Sequence, residues 1–183
     1  MARLKPEDWV SAAQRRLAEE GIDGVRVEAL ARDLGVSKGS FYWHFESRQA
    51  LLDALLQGWE AAATLAVIQQ VDAAEQEPAR RLWALMKRAF GIPRELDLLE
   101  TEIRAWAARE SGPRAVVERV DKQRLAYVAG LLTAAGLPAA EARRRAQILY
   151  STMVGEFFLC SHGAEPLPRA ALKSLYAMLL GGT

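Results

Sequence analysis

The sequence predicts an all-α protein: a three-helix head followed by a longer helical bundle, about nine helices in all. Two observations carry this. Apolar residues recur at i, i+3 and i+4 nearly everywhere, and no stretch sustains an alternation of period two. Glycine and proline then cut the periodic runs into helix-sized pieces, at Gly21, Gly35, Pro78, "GIP" (91–93), "SGP" (111–113), "GLP" (136–138) and "GAEPLP" (163–168).

The first helix is predicted to begin at Pro6, which suits a first turn, with Glu7 and Asp8 at the positive end of the dipole. Trp9, Ala13 and Leu17 form its apolar stripe, and Gly21 stops it. After the connector "IDGVRV", a short second helix over 27–34 places Val27, Leu30, Ala31 and Leu34 on one face. Gly35 turns the chain, and the Ser37 hydroxyl is expected to cap a third helix running to about Trp43. Ser47 caps the fourth, over 48–71, and "DAAEQE" (72–77) is read as a turn. The remaining helices are placed at 78–90, 95–110, 114–135, 139–162 and 169–180.

Composition narrows the possible functions. The 183 residues suit one large domain or a small and a medium one, and 51% hydrophobic with 26% charged residues is ordinary for a folded chain. The net charge is +1, so any phosphate binding must come from local arrangement rather than bulk charge. One cysteine and two histidines allow neither an internal disulfide nor a zinc site of the usual ligand number, so no metal or cofactor is expected. "MARLKPEDWV" lacks the apolar run of a signal peptide, and "ILYSTMVGEFFLC" (148–160) is too short to span a bilayer and carries Glu156. A soluble, cytoplasmic protein with no membrane partner is the expectation.

The chemistry concentrates in "GVSKGSFYWHFESRQALL" (35–52). A helix, a tight glycine turn and a short capped helix form a helix-turn-helix, whose second helix offers its first turn to the major groove. Lys38, Gly39 and Ser40 are small or flexible enough for close approach, and Lys38 can donate to guanine or to phosphate. Phe41 and Phe45 are expected in the core beside Trp9 and Leu17. Tyr42, Trp43 and His44 point away from it, where a ring packs on sugar and its polar atom reaches a phosphate oxygen.

This block, with "AAQRRLAEEGIDGVRVEALARDLGVSKGS" before it, resembles the signature of the tetracycline-repressor (TetR) family of bacterial transcription regulators over roughly residues 6–60. The resemblance implies a DNA-binding domain over 1–60, with its helix-turn-helix at about 26–45, and a ligand-binding and dimerisation domain over 61–183. It further implies a homodimer on a palindromic operator in double-stranded DNA, and no enzymatic activity. By matching positions, Lys38, Gly39 and Tyr42 would meet bases. Ser37, Ser40, Trp43, His44 and Arg48 would hold phosphates, and Arg26 and Glu28 would approach the DNA. Val27 departs from the threonine usual in the family, which can cap the helix and touch phosphate. Arg26 would then supply the phosphate contact instead.

The second half is read from its apolar pattern. The segment 148–160 is greasy on every side, so its own bundle covers one flank and a second subunit the other. Tyr150, Val154, Gly155 and Phe158, with Leu172, Leu175, Tyr176 and Leu179 of the last helix, are assigned to that dimer interface. Trp83, Met86, Phe90, Trp106 and Tyr127, with Gln123 set among apolar neighbours, are assigned to a pocket for a small apolar or amphipathic effector. Cys160 is read as a buried, inert thiol, His162 as a favourable charge at a helix end, and Arg143–Arg145 as a solvated face. The alternatives are a helical DNA-binding protein without an effector and an all-α enzyme.

Overall fold

A computed structural model describes residues 4–91 and 94–181. Among them the chain forms nine helices and no strand. The head comprises α1 (Pro6–Glu20), α2 (Val27–Asp33) and α3 (Lys38–Tyr42). A continuous rod, α4 (Arg48–Ala74), leads out of it. α5 (Pro78–Ala89), α6 (Arg94–Ala107), α7 (Ser111–Ala134), α8 (Ala139–Ser161) and α9 (Arg169–Leu180) complete the bundle.

Local chemistry explains most boundaries. Lys5 N–H donates to the Asp8 carboxylate at 2.7 Å, closing the start of α1, and Gly21 ends it at φ +69°, its N–H on Leu17 C=O. Ser47 Oγ accepts from Ala50 N–H at 3.1 Å, as expected of a cap. The Glu77 carboxylate accepts from Ala79 and Arg80 N–H at the start of α5, and these amides hold its pKa below the usual range.

Three boundaries differ from the sequence reading. The Ser37 hydroxyl does not cap α3; Ser40 N–H bonds to Ser37 C=O instead, at 3.0 Å. α4 continues to Ala74, because Asp72 faces Tyr127 and Arg81 rather than a turn. "SGP" at 111–113 does not break a helix but opens α7, since a proline in a first turn forfeits no hydrogen bond. The break falls at 108–110.

Two apolar clusters organise the packing. In the first, Trp9, Leu17, Leu30 and Phe41 of the head and Leu51 and Leu55 of α4 join Leu99, Ile103 and Trp106 of α6 and Val117 and Val120 of α7. In the second, Leu82, Met86, Leu131, Leu132, Leu149 and Leu172 hold α5, α7, α8 and α9 together. The head is therefore seated on α6 and the front half of α7, and the back half of α7 serves the other cluster.

α4 rather than 148–160 is the described helix long and apolar enough, by length and composition, to cross a membrane. Many of its apolar residues are covered within the fold, while Leu65 is exposed. Leu51, Leu52, Leu55, Leu56 and Trp59 are buried in the first cluster, while Ala63, Val67 and Ile68 border a cavity. Between these two stretches, Ala61–Leu65 form a widened π-type turn that buries Thr64.

Candidate nucleic-acid interface and ligand cavity

The α2–α3 unit is built around Phe41, which is fully buried. It meets Trp9 edge-on at 5.3 Å and stacks with Phe45 at 5.6 Å, which locks the short α3 to α1. Gly35, at φ +67°, makes the turn between α2 and α3, and Val36 N–H returns to Ala31 C=O at 2.9 Å. With Phe41 and Phe45 inside, the neighbouring rings are turned outward as expected. Trp43 is 84% exposed and Tyr42 is 55% exposed, and His44 is half-buried.

Gly39 lies on this outward surface. A Cβ built on it would meet only Ser37 Oγ, at 3.7 Å, and its φ is not positive. Nothing inside the chain requires glycine there.

Other sequence-assigned residues are engaged within the chain. Lys38 Nζ lies 2.5 Å from Glu28 Oε1, joining α3 to α2. The pairing holds the Glu28 carboxyl below its ordinary pKa and the Lys38 ammonium above its own. Arg48 Nε and Nη2 donate to the carbonyls of Val25 (2.6 Å) and Ile22 (2.8 Å), so Arg48 clasps the connector before α2. Arg26 Nε donates to Asp23 C=O at 2.9 Å from the N-cap position of α2, and Val27 is buried in the head. Ser37 is exposed and Ser40 half-buried on the same side.

A cavity of about 440 Å³ lies between α4, α5, α6, α7 and α8. Of the residues assigned to a pocket, Met86, Phe90 and Tyr127 border it. Trp83, Trp106 and Gln123 do not. Trp83 packs on Tyr176, 5.2 Å between centroids. Trp106 belongs to the first apolar cluster, because the stripe Leu99–Ile103–Trp106 on α6 faces the head. Gln123 is half-buried, and its Oε1 has no hydrogen-bond partner among the described residues.

Val67 and Ile68 of α4 and Leu149, Met153 and Phe157 of α8, which also line the cavity, were beyond sequence reasoning. Apolar spacing does not distinguish a core from a cavity wall. Equally unforeseen is a buried charged network along one wall. The Glu100 carboxylate accepts from Trp59 Nε1 (3.0 Å), Arg104 Nη2 (2.8 Å) and Arg124 Nη1 (2.9 Å). Arg104 also reaches Asp121 and the Tyr150 hydroxyl, each at 2.8 Å, and Tyr150 donates to Asp121. Burial opposes charge on Glu100, yet the two guanidiniums prevail and hold its pKa below the usual carboxylate range. Burial pushes the Tyr150 hydroxyl up to about 12.

The outward face of α8 carries Ile148, Phe158 and Leu159, each more than half exposed, beside open space at Gly155 and half-buried Val154. α9 adds exposed Met178. Tyr150, Leu172 and Leu179, assigned by sequence to a dimer interface, are buried in the chain's own bundle, and Leu175 and Tyr176 pack partly against it. α8 thus has two apolar faces, one turned to the cavity and one to solvent.

Residues 10–55 match the family model for bacterial regulatory proteins, tetR family. Tetracycline repressor protein class D of Escherichia coli is 47% identical over 55 residues, which are 30% of this chain and 25% of that protein. The chain thus spans about a quarter of the length of the curated relatives it matches. The whole chain superposes on a transcriptional regulator from Rhodococcus sp. Rha1 with TM-score 0.79 and 22% identity, covering 97% of this chain and 95% of that one. A regulator from Saccharomonospora viridis, solved in complex with choline, gives TM-score 0.77 and 16% identity over 95% and 92% of the two chains. At these identities the structural likenesses establish the fold.

Proposed function

We propose, because residues 10–55 belong to the tetR family of bacterial regulatory proteins, that this chain is a DNA-binding transcription regulator. In this reading residues 1–60 bind DNA, and 61–183 dimerise and hold an effector. The observation that carries it is the outward surface of α3: Tyr42 and Trp43 exposed beside Lys38 and a glycine the fold does not need. Docked by its first turn, α3 sets Lys38, Gly39 and Tyr42 against base edges. Ser37, Ser40, Trp43 and His44 lie around them as phosphate partners. Arg48 acts at one remove, by fixing the connector and thereby the angle of α2.

The apolar outer face of α8, with Met178 of α9, is the surface for a second copy. Two α3 helices related by a two-fold axis read a palindrome when they stand about 34–36 Å apart, or a multiple of that. The cavity supports control by a small molecule, as does the choline held by a regulator of the same fold. An effector that prefers the conformer with the wrong spacing shifts the dimer off its operator, and the chain then works as a repressor in the cytoplasm of a bacterium.

Selection of bound duplexes from random DNA tests the reading. Enrichment of one palindrome is expected, with binding that weakens steeply with salt. Tyr42→Ala and Lys38→Ala weaken specific binding at unchanged helix content. Variants that shift the selected operator like the parent would rule out α3 as the reading helix.

A further inference from the structure

We propose that the part of the effector buried in the cavity carries no charge, although the Arg124–Glu100 pair stands on the cavity wall and exposed Arg88 also borders it. This inference rests on the effector reading above and specifies its ligand. An arginine in an apolar cavity ordinarily invites a carboxylate. Here the donors of Arg124 are engaged by the chain itself. Nε donates to Thr64 Oγ1 at 3.0 Å, Nη1 to Glu100 Oε1 at 2.9 Å, and Nη2 to Ala63 C=O and Glu100 Oε2, both at 3.3 Å.

Glu100 is equally committed. Its two oxygens take the hydrogen bonds of Arg104, Arg124 and the Trp59 indole. The network therefore balances, Arg104 and Arg124 against Glu100 and Asp121, and of these four Arg124 and Glu100 border the cavity. The Tyr127 hydroxyl, also on the wall, donates to Asp72 at 2.7 Å.

Arg88 is exposed to solvent, so a charged group entering the buried part of this space would leave water and meet only the mutually paired Arg124 and Glu100, which is costly in an apolar interior. A carboxylate would have to displace Glu100 from Arg124 and leave Glu100 underpaired. An ammonium would have to displace a guanidinium. An uncharged ring or hydrocarbon meets the apolar side chains of α4, α5 and α8 and leaves the network intact. A volume of about 440 Å³ suits a molecule of drug-like size.

The test uses the full chain and three probes on one skeleton: biphenylmethanol, biphenylcarboxylate and biphenylmethylammonium. Calorimetry on the wild type is expected to rank the alcohol about tenfold or more above both ions. Hydrophobicity alone favours the alcohol, so two variants separate wall pairing from partitioning. Glu100→Gln leaves the wall one positive charge in excess, and the carboxylate gains about tenfold. Arg124→Gln leaves it one negative charge in excess, and the ammonium gains about tenfold.

Wild-type binding of either ion as tight as the alcohol overturns the inference. So do folded variants whose ranking does not move. Where a variant fails to fold, the wild-type ranking and the other variant decide. Binding of none of the three probes removes the effector reading itself, and this inference with it. Preference for an ion removes only the inference.

Discussion

Lys38 of α3 and Glu28 of α2 meet across the glycine turn, Nζ to Oε1 at 2.5 Å, on the face that carries Tyr42 and Gly39. A donor and an acceptor are thereby set side by side. The major-groove edge of a G·C pair offers the complement, guanine N7 and O6 for lysine and cytosine N4 for glutamate. Loss-of-contact binding assays with every base pair of the half-site substituted in turn are expected to show Lys38→Ala and Glu28→Ala losing discrimination at one and the same G·C pair, by roughly tenfold. Glu28→Ala also frees Lys38 for phosphate and removes an acid from the interface. Its affinity for random duplex rises, and the salt slope of binding steepens by about 0.9. Discrimination lost at two different base pairs would show that the residues read separately.

Gly39→Ala separates fold from contact. A Cβ there has room within the chain, so unfolding free energy should stay within about 0.5 kcal/mol of the parent. Operator affinity falls, because the added methyl stands between α3 and the base edges. Paired urea titrations and gel shifts check both halves.

Glu100 of α6 ties α4 to α7, since it accepts from Trp59 of the first cluster and from Arg124 on the cavity wall. Glu100→Ala leaves Arg124 buried without its carboxylate and should destabilise the protein by about 3–5 kcal/mol. Trp59→Phe removes one donor to a buried carboxylate and should cost about 1–3 kcal/mol. Urea unfolding at neutral pH measures both. A Glu100→Ala loss below about 1 kcal/mol would mean the network contributes little to stability.

Asp97 lies at the start of α6. Burial, and then the Glu156 and Glu100 carboxylates, push its pKa up to about 6. The folded state therefore binds its proton more tightly than the unfolded chain, where an aspartate titrates near 3.9. Stability should fall as pH rises from about 4 to 6 on account of this group, with the whole penalty present above about 6. Asp97→Asn removes it. Stabilisation on the order of 1–2 kcal/mol is expected at pH 7.5, shrinking towards zero near pH 4. An equal effect at both pH values would assign it to packing rather than to charge.

Phe158→Glu and Ile148→Glu place charges on the outer face of α8 without touching either cluster. Sedimentation velocity is expected to show dimers for the parent and monomers for both variants, at unchanged helix content, and palindrome binding should fall with dimerisation. Phe157→Glu would instead disturb the cavity wall, so the pair of neighbouring positions distinguishes the two faces of α8.

Much of the head was legible in the residues. Trp9, Ala13 and Leu17 recur at helical spacing. Gly21 and Gly35 sit where the chain needs a left-handed residue, and the i, i+4 pair Phe41–Phe45 accounts for the core while its neighbours face outward. The resemblance over the same stretch supplied the expected DNA contacts. Arg48, expected at a phosphate, also holds the connector before α2, a role the local pattern does not display. Its partners, the carbonyls of Ile22 and Val25, lie more than twenty residues away and leave no mark in the local pattern.

The all-helical class, the helix set and the turn that leads α2 into α3 are readable from the residues alone. These follow from interactions between residues a few positions apart, namely helical periodicity, caps and glycine conformation. That Trp106 packs with the head rather than at a cavity, that Leu172 and Leu179 face their own bundle, and that Glu100, Arg104, Arg124 and Asp121 form one internally neutralised network emerges only when the helices pack. An i, i+4 Glu–Arg pair has the same spacing on a solvated surface as in a buried network. Which of the two it becomes depends on the helices that close over it, and those come from remote parts of the chain.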